Sequence, residues 1–279
     1  MKKGKRNPNR KILMRKINRI FLIPEEAIKH LIGTYRPIKN THHFGILEAV
    51  VYSSCIDSWR KYSLVAEDIK AMGSQCTFVL DAGGGGSGIG RFLDSERYHI
   101  CVLDINPQVL TKITDKKVNA VVADGCCSPF KDNSFDVVVS VHTIEHIPQQ
   151  DRADYIHELK RVARKRVLVH VPVNSADEKY QGEKYDRKFN KWHKRILRVE
   201  ENYTSEHIRL GLPEINELRA TFLNSKVTGE QNCGAWLKYM ILERIPYIKL
   251  FAGLIYKLLL ERRDDRPPYH ACLLVWEKT

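Results

Sequence analysis

Residues 78–93 read FVLDAGGGGSGIGRFL: a short apolar run, one aspartate, then six glycines within eight positions. The spacing Gly83-x-Gly85-x-x-Gly88 lets a backbone turn sharply and approach a ligand closely, because no Cβ stands in the way. The residues after the glycines read as the start of a helix. A strand ending in Asp81, followed by such a bend, places a nucleotide-like ligand at the mouth of a parallel sheet, beside a helix N-terminus. Taken alone, the bend is also compatible with a plain strand-to-helix turn.

The rest of the chain narrows that choice. Residues 99–104 (HICVLD) and 118–124 (VNAVVAD) are apolar runs that end in Asp104 and Asp124. Residues 135–141 (FDVVVSV) and 166–173 (RVLVHVPV) are two more. Each is bounded by Asn, Asp, Pro or Gly, and helical patterns lie between most of them. Short β-branched runs alternating with helices predict βαβ units and a doubly wound parallel sheet.

With these motifs in order, the chain resembles the class I S-adenosylmethionine-dependent methyltransferases, most closely the type 11 group. The resemblance covers residues 77–172, and more loosely 204–232 and 269–277. It rests on VLDAGGGGSGIGRFL, VLDIN at 102–106, VVADGCCSPFKDNSFDVVVSVHTIEHI at 121–147 and ELKRVARKRVLVHVP at 158–172. It implies an α/β, Rossmann-like, three-layer fold: a seven-stranded sheet with an antiparallel last strand. YHACLLVWE at 269–277 fits that strand, after SKVTGE at 225–230. The chain departs from the family at Ser87, which takes the third glycine place and moves Gly88 one residue later.

The resemblance also implies S-adenosylmethionine as cofactor and assigns residues to it. Asp81, Gly83 and Gly85 hold the methionine end, Asp104 the ribose hydroxyls, Ile105 packs on the adenine, and Asp124 with Gly125 holds the adenine. Asp104 falls about 20 residues after Asp81, where dinucleotide dehydrogenases also place a ribose-binding acid. Three features favour S-adenosylmethionine: an acid at the end of the first strand suits a cationic ligand without pyrophosphate, Asp124 is placed for adenine, and SFDVVVS followed by HTIEHI has no dehydrogenase counterpart. All three acids also have a local role as strand-end caps.

His142, Glu145 and His146 follow the fourth strand, at the carboxyl edge where substrates bind in such sheets. The order His-x-x-Glu-His matches a metalloprotease pattern, but Pro148 and the loop expected here argue against that helix. Glu145 and His146 also match two of the three metal ligands of quinone-pathway O-methyltransferases, with His142 replacing a glutamate. The sequence reading is pocket lining, with His142 or His146 as a base, and no metal.

The 279 residues, 43% hydrophobic, suit one α/β domain over 41–279, after a basic extension over 1–40. Net charge is +13, which suits an anionic partner or surface. Nine Lys or Arg and no acid fall in residues 1–23, and RKILMRKINRIFL at 10–22 has the pattern of a basic amphipathic helix. It suits either an anionic membrane surface or packing on the domain. Residues 44–72 predict one or two helices, whose Tyr52, Trp59 and Tyr62 cover the cofactor or enter the core. Seven cysteines without a CxxC pair read as buried thiols in a reducing compartment.

Two insertions are expected. Residues 174–212 read as a long polar loop, with seven Lys or Arg between Lys184 and Arg198 interleaved with Tyr185, Phe189 and Trp192. That composition suits a phosphate-bearing or RNA substrate, or a solvated face. A helix over 213–223 follows. Residues 233–266 predict two short amphipathic helices rather than a membrane span, because charges and Pro246 interrupt them. The acceptor is read as a small molecule, lipid or glycan-lipid, with peripheral membrane contact through 10–22 and 235–260 in a cytoplasmic protein. The alternatives are RNA methylation and cofactor binding without catalysis.

Overall fold

The computed structural model describes residues 55–86 and 88–278. The helix expected over 10–22, the extension ending at residue 40, Tyr52 and Ser87 lie outside the described residues.

Seven strands form one sheet: β1 Phe78–Ala82, β2 His99–Asp104, β3 Asn119–Val122, β4 Phe135–Val141, β5 Ala163–Pro172, β6 Lys226–Asn232 and β7 Tyr269–Glu277. Their order is β3-β2-β1-β4-β5-β7-β6. The first five are parallel, and β7 runs antiparallel to both β5 and β6. This is the sheet expected from the sequence, last strand included. β1 lies between β2 and β4, so the chain order reverses there and opens a crevice at the carboxyl ends of β1 and β4.

The helices are α1 Ile56–Ala71, α2 Pro107–Leu110, α3 Arg152–Val162, α4 Gly182–Leu197, α5 Asn202–Leu210, α6 Ile215–Thr221 and α7 Cys233–Arg244. β4 is buried at every position because both faces are covered. α1 contacts β4 and β5. On the other face Leu80, Val138, Val167 and Val169 join Tyr155, Ile156 and Leu159 of α3, and Leu218 of α6, in one core cluster. Each such apolar side chain contributes about 1.5–3 kcal/mol by leaving water.

Two expectations change. The residues after the glycines do not start an α-helix; only a 3-10 turn forms, at Ile89–Arg91. Gly88 and Gly90 each cost a helix about 1 kcal/mol, and the chain turns at Asp94, whose carbonyl accepts from Arg97 N and Tyr98 N. The layer expected from that helix is supplied by α1. Residues 174–212 are not a loop but carry α4 and α5. In α4 the buried positions are Gly182, Asp186, Phe189 and His193, a helical stripe made largely of polar residues. Residues 233–266 are helical as expected, but α7 has no single apolar face, and after it come a 3-10 turn at Ile248–Leu250 and a helical stretch through Ala252–Ile255, a π-helical turn Tyr256–Leu260 and Glu261–Asp264.

Tyr155 ties the core to the crevice. Its hydroxyl donates to the carbonyl of Ala82 at the end of β1 (3.0 Å) and pairs with Ser140 of β4 at 3.0 Å. Its ring fills the space that a Cβ on Gly125 would enter, 2.6 Å away. Tyr155→Phe leaves two buried groups without this partner and is expected to lower stability by about 1–3 kcal/mol, read by urea denaturation.

Candidate active site

Asp81 closes β1 and is fully buried. Its Oδ2 accepts from Ile89 N at 2.7 Å, and its Oδ1 has no partner. Burial pushes its carboxyl up to about 7, the Asp104 charge adds to this, and the bond from Ile89 opposes both. The glycine bend wraps this carboxylate. Gly88 has φ +38°, and a Cβ there would lie 2.1 Å from Asp81 Oδ2. Gly83, at φ +78°, lies against Thr143, whose Cγ2 would be 2.3 Å from its Cβ. Gly85, at φ +60°, faces open space.

The second strand end adjoins this bend. Asp104 accepts from Gly85 N (3.1 Å) and from Asn106 N (2.8 Å), so it caps the local turn. A carboxylate has further lone pairs, and these remain for a ligand. Ile105 beside it is 70% exposed, an apolar plate at the crevice. Tyr62 of α1 stacks on Phe92 at 5.7 Å, and burial followed by the charges of Asp81, Tyr155 and Asp104 holds its phenol well above its ordinary value. Trp59 is buried core. Asp124 is exposed and caps the turn at Gly125–Cys127 by accepting from Cys126 N at 2.9 Å.

His142 follows β4 with φ +51°, a left-handed conformation a histidine rarely adopts, and this turns its ring inward. Its Nδ1 stands 3.2 Å from Glu145 Oε1, its ring stacks on His170 at 5.2 Å, and its Nε2 has no partner. Burial holds His142 well below its ordinary value, and burial likewise holds His170 at about 3. Glu145 and His146 lie on a 3-10 turn, not on an α-helix, so the metalloprotease geometry is absent from them.

Sequence reasoning missed the residues that surround this turn. His207 of α5 places Nε2 3.3 Å from His146 Nε2 and 3.9 Å from Glu145 Oε1. Its Nδ1 is 2.8 Å from Asp186 of α4, whose other oxygen is 2.9 Å from His270 Nε2 of β7. Burial pulls His207 down, but the bond to Asp186 and the charges of Glu145 and Asp186 outweigh it, so His207 is raised. Burial pushes Asp186 up, and its two histidines outweigh that, so it is lowered. These residues come from three distant segments, and no local motif joins them. A cavity of about 390 Å³ opens here, lined by His142, His146, His207, Lys61, Trp236 and Met240 among others.

Residues 80–171 match the family model described as a methyltransferase domain. That stretch is about a third of the chain, and it is similar to the methyltransferase domains of this family. A chloroplastic tocopherol O-methyltransferase of Arabidopsis thaliana is 34% identical over 94 residues, covering 30% of this chain and 26% of that protein. Ajmaline N-methyltransferase of Rauvolfia serpentina is 43% identical over 49 residues, 18% of this chain and 16% of that protein. The chain therefore spans about a quarter or less of the length of these relatives. The solved magnesium protoporphyrin IX methyltransferase of Synechocystis, with bound SAH, shares the fold at TM-score 0.51 and 10% identity, over 96% of this chain and 100% of that one.

The crevice fits S-adenosylmethionine, the cofactor that the similarity implies. A buried carboxylate lies under a Cβ-free bend open at Gly85, with an acid and an apolar plate on the next strand. Gly88→Ala forces a methyl onto the Asp81 carboxylate and is expected to destabilise the domain by more than about 2 kcal/mol. Gly85→Ala meets open space and costs about 1 kcal/mol through its backbone conformation alone. Thermal denaturation of the two variants side by side reads the difference.

Proposed function

We propose that this protein transfers a methyl group from S-adenosylmethionine to a small-molecule or lipid-linked acceptor held in the histidine-lined cavity. One observation carries the reading: Thr143 packs against Gly83 of the cofactor bend, while its neighbour His142 lines the cavity. Donor and acceptor sites are thus one residue apart along the chain.

S-adenosylmethionine supplies a methyl group already activated on a sulfonium, so the protein's task is alignment and exclusion of water. Asp81 places negative charge beneath the bend that receives the cationic methionine end. Asp104 accepts from the ribose hydroxyls, and Ile105 with Asp124 and Gly125 borders the adenine. His142 lines the cavity beside the bend and is the candidate to take the proton of an acceptor hydroxyl or amine as the methyl arrives. His146 borders the same space.

The size and lining of the cavity favour a small acceptor body. Trp236 and Met240 of α7 give it an apolar wall. Beyond α7, Phe251 is 61% exposed, Leu258 69% and Leu259 66%, with Lys249 on the same segment. Apolar side chains beside a cation suit a membrane interface, which supports a lipid-linked acceptor. The basic 184–198 segment speaks less for RNA: Phe189 of α4 is buried and Trp192 stacks on it at 6.0 Å, so neither ring is offered to a base. No described helix is long and apolar enough to cross a membrane.

Incubation with methyl-tritiated S-adenosylmethionine and a lysate, followed by separation into organic-soluble, aqueous small-molecule, RNA and protein fractions, tests the reading. Label is expected in the organic-soluble or small-molecule fraction. Label confined to RNA or protein contradicts the acceptor class, and no label at all contradicts catalysis.

The Asp81 carboxyl at about 7 sets a pH dependence. A cationic ligand favours the ionised form, which is depleted below that pH. Apparent affinity for S-adenosylmethionine is therefore expected to fall, by up to about tenfold per pH unit, as pH drops below about 7, and to level off above it. Asp81→Asn should bind more weakly at pH 8 and lose this slope, as read by calorimetry.

A further inference from the structure

We propose that Glu145, His146 and His207 bind one divalent transition-metal ion of the zinc type in the wall of the acceptor cavity. This revises the expectation of no metal, and its third ligand comes from α5, far from the His-x-x-Glu-His segment.

The argument starts with protons. His146 Nδ1 is 2.8 Å from a carboxylate oxygen of Glu206, and His207 Nδ1 is 2.8 Å from one of Asp186. A carboxylate accepts, so each neutral ring carries its hydrogen on Nδ1. Both Nε2 atoms then present bare lone pairs, and they face each other at 3.3 Å. A third electron-pair donor joins them. Glu145 is fully buried with no hydrogen bond to either oxygen, and its Oε1 lies 3.2 Å from His142 Nδ1 and 3.9 Å from His207 Nε2. Three electron-rich atoms converging in the cavity wall repel one another unless a cation lies between them.

The spacing suits a metal. Ligand nitrogens at about 2.0–2.1 Å from a tetrahedral ion stand roughly 3.3 Å apart. One ligand atom from each of Glu145, His146 and His207 falls within 4.8 Å of the others. The two-histidine, one-carboxylate set suits zinc and related ions. The outer arrangement suits one as well: each ring is oriented by a carboxylate on its remote nitrogen, as metal-bound histidines are. Asp186 is held in turn by His270, which stacks on Trp236 at 3.8 Å. Three protein ligands leave a coordination position open, and His146 and His207 both line the cavity. An acceptor oxygen is the group that would fill it.

The role of the metal in methyl transfer rests on the proposed function, but the site itself does not, and the test uses neither cofactor nor acceptor. Full-length protein, stripped with chelator and exchanged into buffer, is titrated with cobalt(II) and then zinc(II). Calorimetry and visible absorption report binding, and circular dichroism reports folding. One equivalent of cobalt with ligand-field bands, displaced by zinc, is expected. His207→Gln should weaken binding at least 100-fold, and Asp186→Asn by about 10–100-fold. Absence of stoichiometric binding to the folded wild-type protein, which leaves a shared proton between the rings, overturns the proposal. So does cobalt binding that is unchanged in folded His207→Gln.

Discussion

The architecture of the crevice depends on one carboxylate held out of water. Asp81 ends the central strand of the sheet, where the order of connections reverses, and the glycine bend folds over it. Burial opposes its ionised form, and a single hydrogen bond from Ile89 only partly offsets that. The bend must pass so close that neither Gly84 nor Gly88 tolerates a Cβ; both positions would collide with the Asp81 side chain. The same bend presses Gly83 onto Thr143. The end of β1 is thereby locked to the turn after β4, and the turn after β4 is where the histidine-lined cavity begins. A cation at the bend would relieve the buried charge, so ligand and fold share one electrostatic problem.

The second organising element is the carboxylate–histidine array. Asp186 bridges α5 and β7 through His207 and His270, and His207 faces the turn bearing Glu145 and His146. Polar groups this deeply buried specify geometry as well as stability, because each leaves a costly vacancy if its partner moves. The array fixes α4 and α5 over the carboxyl edge of the sheet. Residues between β5 and α6 thus form the far wall of the cavity rather than a solvated loop.

Much of this was legible in the sequence, and the exceptions have physical causes. Strands β1, β2, β4 and β7 announce themselves as apolar runs bounded by polar residues, and β4 is buried on both faces because both are covered. The glycine bend is legible because only glycine satisfies its close approach. The helix expected after it fails because two glycines fall in its first turn. Helix α4 was hidden because its buried stripe runs Gly182, Asp186, Phe189, His193; apolar periodicity detects a stripe only when it is apolar. Polar residues occupy that stripe because they serve the array, and local rules are broken most often at such sites. His142, Glu145 and His146 were placed by their position after β4. His207, Asp186 and His270 were not, because their meeting is purely tertiary. Asp124 shows the opposite case: its local capping role is what the structure displays.

The central claim is that the Asp81 crevice receives a sulfonium nucleoside. Calorimetric titration of the full chain at pH 8 with S-adenosylmethionine, and separately with a nicotinamide dinucleotide, tests it most directly. The account predicts saturable one-to-one binding of the first and none of the second. Uptake of the dinucleotide, with no heat from S-adenosylmethionine, would contradict it.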